Sequence, residues 1–179
     1  SASNSEIVVP LIRDGELLGV LDIDSPRHAR FDAEDEAGVV RLADRPTREV
    51  MTPRTAVDWI DVESDAQAVR TALLETPHSR LPVGEGSVDQ LVGVVQARDI
   101  VAAAIRGDRL DLKVLMRAAP IVIDQLDAMD ALVRLRRAEV PMALIHDEYG
   151  HFEGIVTPAD LLAAIAGAFA SDSDPHESP

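Results

Sequence analysis

One motif that joins a strand to a helix occurs twice in this chain. Residues 93–103 read GVVQARDIVAA, and 61 residues further on residues 154–164 read GIVTPADLLAA. Upstream of these two segments, Val50-Met51 and Leu115-Met116 are 65 residues apart and each opens one copy. Self-similarity of this kind is typical of a supersecondary unit that buries its hydrophobic surface against its own repeat. The sequence therefore predicts two copies of one small unit.

Both copies show the same order of predicted elements. A short strand, at 56–61 or 121–124, precedes an amphipathic helix, and two further strands and a closing helix rich in Ala, Leu and Ile follow. The paired strands are predicted at 80–84 with 91–96, and at 142–147 with 152–157. The order β-α-β-β-α, occurring twice, predicts an α/β fold, or α+β in detail.

The first helix of each copy has an apolar face at helical spacing. The residues on that face are Val69, Ala72 and Leu73 in the first copy, and Ala128, Ala131, Leu132 and Leu135 in the second. Ser64-Asp65-Ala66-Gln67 has the pattern of a capping box, which predicts that Ser64 caps the first of these helices.

The N-terminal segment reads as a hairpin followed by a helix. Strands are predicted at 7–12 and 17–24, and the Asp14-Gly15 pair between them is a strong hairpin signal. A helix with acidic residues in its first turn is predicted from about Asp35 to Asp44. Because a lone hairpin is marginal in water, we expect this segment to belong to a larger sheet. The polar, acidic tail at 171–179 is predicted to be disordered.

Charge and composition exclude several classes of function. Lys and Arg number 17 against 32 Asp and Glu, a net charge of −15, and Lys113 is the single lysine. Binding to nucleic acid or to an anionic membrane surface needs a basic face, so neither is predicted. Uninterrupted runs of Ala, Val, Ile, Leu, Met and Phe reach only six residues, which is too short for a membrane span, and the N-terminus has no signal-peptide pattern.

The cysteine and histidine content of the sequence also excludes several kinds of functional site. The chain has no cysteine, which excludes disulfides, thiolate metal sites and thiol nucleophiles. Its histidines, which include His78 and His151, form no i, i+4 pair and no H-E-x-x-H motif, so no transition-metal site is predicted.

Several motifs together narrow the class of protein. They are VMTPRT at 50–55, SRLPV at 79–83, DEYG at 147–150 and GIVTPAD at 154–160. With the tandem repeat they make the chain resemble, over roughly residues 39–169, the CBS-domain pair of the hemolysin and CorC-type magnesium and cobalt efflux proteins, which are bacterial relatives of the cyclin M transporters. The resemblance implies two three-stranded sheets and four helices around a pseudo-twofold axis. In that family the pair is cytosolic, follows a membrane transport domain, binds adenine nucleotides and dimerises with a second pair.

The resemblance also implies a ligand site in the second copy. The ligand would be ATP or AMP, with Mg²⁺ as counter-ion. Asp160 would hold the ribose, Thr157 and the N-terminus of the helix that Pro158 opens would hold the phosphate, and apolar strand residues would hold the base. The same three residues also fit a purely structural helix start, with Thr157 as the N-cap and Asp160 as the capping-box acid. Both roles can hold together.

The first copy departs from this pattern. Gln96 stands where the second copy has Thr157, so the hydroxyl cap is lost, although Asp99 remains and Arg98 adds a cation. We expect this first site to be empty or altered.

Two further residues of the first copy complete the candidate ligand residues. Arg80 would neutralise phosphate charge, the alternative being an exposed arginine paired with carboxylates. Pro53 belongs to the segment that opens the copy.

The DEYG segment is interpreted as a turn, with Gly150 at a positive φ and Tyr149 covering it.

The N-terminal segment carries a second resemblance. SEIVVPL at 5–11, GVLDIDSP at 19–26 and FDAED at 31–35 are similar to the C-terminal end of a GAF domain of the free methionine-(R)-sulfoxide reductase type. In that family a glutamate and two aspartates at these positions hold the substrate, which implies a remnant of that site at Glu6, Asp22 and Asp24. The reactive cysteines of the family lie upstream of this segment, and this chain has none.

These observations predict five parts and one leading function. The parts are a GAF-like segment at 1–36, a linker helix at 37–49, CBS domains at 50–110 and 111–170, and a tail at 171–179. The expected function is a cytoplasmic, non-catalytic regulatory module that binds an adenine nucleotide and gates a membrane transport domain. The alternatives are a ligand-free dimerisation module and an inactive reductase fragment fused to a CBS pair.

Overall fold

A computed structural model of the protein describes residues 5–13, 16–25 and 45–171. The described strands and helices follow the predicted order β-α-β-β-α twice, after an N-terminal hairpin, so the α/β prediction is confirmed. The elements are β1 (Ser5–Arg13), β2 (Glu16–Ser25), β3 (Thr52–Pro53), β4 (Ile60–Asp61), α1 (Ala66–Glu75), β5 (Arg80–Gly84), β6 (Leu91–Gln96), α2 (Ala97–Arg106), α3 (Leu112–Leu115), β7 (Ile121–Ile123), α4 (Ala128–Arg137), β8 (Ala143–His146), β9 (Phe152–Val156) and α5 (Pro158–Ser171).

The N-terminal hairpin is present as predicted. Strands β1 and β2 pair antiparallel from Ser5 opposite Ser25 to Arg13 opposite Glu16, with an irregularity between Leu11 and Ile12. The Asp14-Gly15 turn, the helix predicted near 35–44 and the tail after residue 171 lie outside the described residues.

Each copy builds a sheet, but the two sheets differ in size. Strands β4, β5 and β6 form a three-stranded sheet, whereas the second sheet has four strands in the order β3-β9-β8-β7. The expectation of two three-stranded sheets is therefore wrong. The extra strand comes from the segment that opens the first copy, because Thr52 pairs with Ile155 and Pro53 with Gly154. The single-turn helix α3 is likewise additional to the four longer helices that were expected.

The same crossing occurs in the opposite direction. Arg117, which follows Leu115-Met116 at the start of the second copy, forms an antiparallel bridge with Val94 of β6. The amide of each of these residues donates to the carbonyl of the other at 2.9 Å. The opening segment of each copy therefore lies against the sheet of the other copy.

Two glycines make room for these crossing segments. A Cβ on Gly154 would overlap the carbonyl oxygen of Thr52 and come within 3.0 Å of Met51 Sδ. A Cβ on Gly93, its equivalent in the first copy, would lie 3.0 Å from the carbonyl oxygen of Arg117. Real Cβ atoms are rarely this close to backbone, so the crossings need the small residue at both positions.

Two boundary predictions need correction. The strand expected at 56–61 contains only β4, since parallel pairing with β5 is limited to Ile60 opposite Val83 and Asp61 opposite Gly84, and Arg54–Ala56 forms a 3-10 turn. Asp65, and not Ser64, caps α1, because its side chain accepts a hydrogen bond from Ala68 N at 2.8 Å.

The copies have separate cores that meet at a shared layer. The first core contains Val69, Leu81, Val83, Val95 and Ile100, and the second contains Ala131, Leu135, Ile145, Val156 and Leu161. Val94 from the first copy packs with Val140 and Met142 from the second, all of them buried. This mixed cluster joins the copies into one packed unit.

Thr47 anchors the chain just before the first copy. It is fully buried, its amide donates to Leu126 O at 2.8 Å, and its hydroxyl lies 3.1 Å and 2.9 Å from the carbonyl oxygens of Ile123 and Asp124. These bonds attach the segment that leads into β3 to the second copy.

We predict that Gly154→Ala destabilises the protein by about 1–3 kcal/mol, because the new methyl group overlaps the backbone of β3. Urea denaturation followed by circular dichroism measures the change in the free energy of unfolding. Gly93→Ala is the matched comparison and should cost less, since its Cβ has slightly more room. Equal stability of Gly154→Ala and the parent protein would contradict the crossing.

Candidate functional site

A cleft of about 530 Å³ lies where the two copies meet. Its walls come from the segment around β3, from the start of β5 and from the junction of β9 with α5. The residues that line it are Thr52, Ala56, Val57, Asp58, His78, Ser79, Arg80, Pro82, Pro141, Met142, Ile155, Thr157, Pro158, Ala159 and Asp160. The structure thus brings four predicted ligand residues together, namely Arg80, Thr157, Pro158 and Asp160.

The start of α5 is organised by a reciprocal pair of hydrogen bonds. Asp160 Oδ2 accepts from the amide and the hydroxyl of Thr157, both at 2.8 Å, and Thr157 Oγ1 lies 3.3 Å from the amide of Asp160. Pro158 occupies the first helical position, where its missing N–H costs nothing. This is the capping-box geometry, and it holds both polar side chains at the wall of the cleft.

Arg80 is the unusual polar group of this cleft. Its Nε is buried and has no hydrogen-bond partner among the described residues, and no carboxylate in that part of the chain pairs with its guanidinium. Arg54 differs, because its Nη1 lies 2.8 Å from Asp89 Oδ1 outside the cleft. A buried donor without a partner is expensive, so the position of Arg80 favours an anionic ligand at this point.

Asp58 and His78 form a contact across the mouth of the cleft. Asp58 Oδ2 lies 3.6 Å from His78 Nε2, and both side chains are more than half exposed. Sequence reasoning missed these residues, since Asp58 falls inside the predicted strand 56–61 and only the tertiary structure brings its loop beside His78. The apolar walls, which include Val57, Met142 and Ile155, were expected only in general terms.

The remaining predicted ligand residues lie elsewhere. Pro53 is exposed and does not line the cleft, although its neighbour Thr52 does. Gln96, Arg98 and Asp99 belong to the start of α2 and also lie outside this cleft. Gln96 makes no side-chain cap, and Arg98 Nε lies 3.6 Å from Asp99 Oδ1.

The three candidate residues of the GAF-like segment, Glu6, Asp22 and Asp24, are located by their register in the β1–β2 hairpin. Glu6 is opposite Asp24 in the hairpin, and Asp22 is opposite Val8. Their predicted role in holding a substrate remains a prediction.

The turn between β8 and β9 is a polar unit separate from the cleft. Gly150 has a φ of +87°, as expected, while Tyr149 is 78% exposed. Asp147 accepts hydrogen bonds from the amides of Tyr149 and His151, and its Oδ2 lies 2.8 Å from His151 Nδ1.

The two ionisable groups of this turn shift each other's pKa. Burial alone would raise the pKa of Asp147, but the hydrogen bonds from His151 and Tyr149 outweigh it and lower that pKa. The hydrogen bond to Asp147, together with the charge of its carboxylate, raises the pKa of His151. The ion pair between Asp147 and His151 is therefore fully formed at mildly acidic pH, where the carboxylate is charged and the imidazole is protonated. It is lost when Asp147 is protonated at lower pH or when His151 loses its proton at higher pH.

Two kinds of feature are missing from the described part of the chain. Residues 5–13, 16–25 and 45–171 contain no group of three or more His, Cys, Asp or Glu residues placed to hold a metal ion. Over the same ranges, no helix combines the length and the apolar character that crossing a bilayer requires.

Comparison with known proteins identifies the families whose profiles match this chain. The family profile described as CBS domain matches residues 48–106 and 112–167, and the profile described as GAF domain matches residues 1–45. The CBS domain of a bacterial CNNM/CorC family Mg²⁺ transporter, solved in complex with ATP, superimposes with a TM-score of 0.69 at 32% identity. That superposition covers 75% of this chain and 96% of the solved one.

Two curated relatives are longer proteins. The UPF0053 protein sll0260 of Synechocystis is 36% identical over 99% of this chain and 38% of its own length. The UPF0053 inner membrane protein YoaE of Escherichia coli is 38% identical over 79% of this chain and 27% of its own length. The chain therefore spans about a quarter to two fifths of these relatives.

The chain belongs to the CBS-domain family. It is a CBS pair homologous to the CBS domains of the CNNM/CorC transporters, as the tandem motifs predicted.

We predict that Asp147→Asn lowers the pKa of His151 toward the ordinary histidine value, because the carboxylate that favours the imidazolium is removed. NMR titration of the histidine ring resonances measures this change. Asp89→Asn is the control, since Asp89 contributes least among the groups that raise the pKa of His151. An unchanged His151 titration in Asp147→Asn would contradict the assignment.

Proposed function

We propose that this protein is a non-catalytic regulatory module that binds an adenine nucleotide in the cleft between its two CBS copies. The observation that carries the proposal is Arg80, whose buried Nε lacks a partner in the described part of the chain while it lines the same cleft as Thr157 and Asp160. A phosphate group would supply the missing acceptor.

Each part of the cleft suits one part of a nucleotide. Asp160 uses Oδ2 for the cap, and its carboxylate is the acceptor that two ribose hydroxyls require. Thr157 and the start of α5 would receive a phosphate through the amide of Ala159 and the positive end of the helix dipole, since Pro158 has no N–H and the amides of Thr157 and Asp160 are already bonded within the cap. Val57, Met142 and Ile155 offer apolar contacts for the base.

Size and similarity support the same ligand class. A volume of about 530 Å³ is within the range of small-molecule sites. The homologous CBS domain named above was solved with ATP. We propose ATP or AMP as the ligand, with Mg²⁺ as the counter-ion of the phosphates. The first-copy residues Gln96, Arg98 and Asp99 would form at most an altered second site.

Similarity to longer relatives supports a role for the module within a larger protein. We infer that the module acts on the cytoplasmic face of the membrane as part of a hemolysin or CorC-type magnesium and cobalt efflux protein. Nucleotide binding would favour one arrangement of paired modules and so bias the membrane transport domain toward one state. We also propose that the GAF-like segment, the linker and the two CBS domains predicted from the sequence have separate roles in that protein.

A ligand-free dimerisation module is the second candidate. Leu74 of α1 and Ile105 of α2 are 88% and 81% exposed, and Val101 lies one turn before Ile105 on the same face. Exposed apolar residues at helical spacing suit a second CBS pair as partner. Nucleotide binding separates the candidates, because only the first requires it.

We predict that Asp160→Ala lowers nucleotide affinity at least about tenfold, because the ribose loses a charged acceptor. Isothermal titration with ATP, ADP, AMP and S-adenosylmethionine, each with and without Mg²⁺, measures binding to the parent and to the variant. Asp65→Ala is the matched control, since it also removes a helix cap but lies outside this cleft. If the parent binds none of the four compounds, the dimerisation candidate is favoured.

Arg80→Gln should weaken ATP binding about tenfold or more, because it removes the unpaired cation that would face the phosphates. Arg54→Gln removes an arginine that is already paired with Asp89 and should bind as the parent does. The same titration reads both variants. Equal affinity of Arg80→Gln and the parent would refute a phosphate contact at this residue.

A further inference from the structure

His78 is fixed at the edge of the cleft by its backbone. Helix α1 ends at Glu75, and the amide of His78 donates to Thr76 Oγ1 at 3.2 Å. The carbonyl of the next residue, Ser79, accepts from the amide of Ala97 at 3.0 Å. The loop is therefore held on both sides of His78, two positions before Arg80, and the imidazole lines the cleft.

The charge balance of the cleft depends on this histidine. The other charged residues that line it are Asp58 beside His78, Arg80 at the start of β5 and Asp160 at the start of α5. Two carboxylates thus face one permanent cation. A neutral His78 leaves the cleft with a negative excess, while a protonated His78 brings the charges into balance.

The existing partner of His78 does not fix the imidazole strongly. Its Nε2 lies 3.6 Å from Asp58 Oδ2, and the two side chains are 59% and 57% exposed. Exposed ion pairs of this kind contribute little free energy. A phosphate in the cleft accepts stronger charge-assisted hydrogen bonds, so the imidazolium can turn from Asp58 to the ligand at little cost.

We propose that His78 is a second phosphate-binding cation, and that its protonation makes the affinity for the nucleotide decrease as the pH rises through neutrality. This inference rests on the proposed function, because it assigns a further contact to the same ligand. Histidine is the side chain whose charge ordinarily changes between pH 5 and 8, whereas Arg80 stays charged throughout. The module would then respond to both nucleotide and proton concentration.

The test compares ATP affinity at about pH 6 and about pH 8 by isothermal titration, using the full chain and three variants. The parent should bind about threefold to fivefold more weakly at the higher pH, which corresponds to the loss of one partly exposed charge contact. His78→Gln should bind weakly at both pH values, and His78→Arg should bind well at both. The phosphate's own ionisation acts on every variant alike, so the difference between variants is the readout.

His151→Gln is the matched control, because it removes an exposed histidine that also pairs with an aspartate but lies outside the cleft. It should keep the pH dependence of the parent. Full pH dependence in His78→Gln, or its persistence in His78→Arg, overturns the role of His78 while leaving nucleotide binding intact. Absence of ATP binding by the parent at both pH values overturns the proposed function itself, and the inference with it.

Discussion

The close approach of two backbones at Gly154 is the constraint on which the rest of the structure depends. Strand β3 opens the first copy in sequence but pairs with β9 of the second, and the absence of a Cβ at position 154 makes room for this pairing. Arg117 makes the reciprocal contact with Val94 beside Gly93. The two copies are thus interlocked by backbone hydrogen bonds as well as by apolar packing. The cleft lies beside this crossing, and Thr52 of β3 contributes to its wall.

At the junction of β9 and α5, the same two side chains cap the helix and line the cleft. Thr157 and Asp160 satisfy each other's polar groups at the start of the helix, which fixes their positions before any ligand is present. A ligand site assembled in this way needs little reorganisation, since its polar groups are already ordered by the fold. A substitution at Asp160 therefore affects both the helix cap and the proposed ligand contact. For this reason, a variant that loses a different helix cap is the informative comparison.

The electrostatics of the cleft differ from those of the chain as a whole. A net charge of −15 repels anions at long range, yet Arg80 is held at the cleft without a carboxylate partner in the described part of the chain. Other arginines, such as Arg54 and Arg106, pair with aspartates at 2.8 Å. The structure therefore keeps one guanidinium available where the nucleotide is proposed to bind, and His78 adds a cation whose charge depends on pH.

The sequence by itself determined the repeated β-α-β-β-α order, the buried helix faces and the capping box at Thr157, because each depends on spacing within a few residues. It also identified the family, through motifs that stand close together in the chain. Only the tertiary structure decided that β3 joins the sheet of the opposite copy, that Arg80 lacks a partner among the described residues, and that Asp58 lies beside His78. These features arise between segments that are distant in sequence, and no local pattern records which segments the packing of the two copies will bring together.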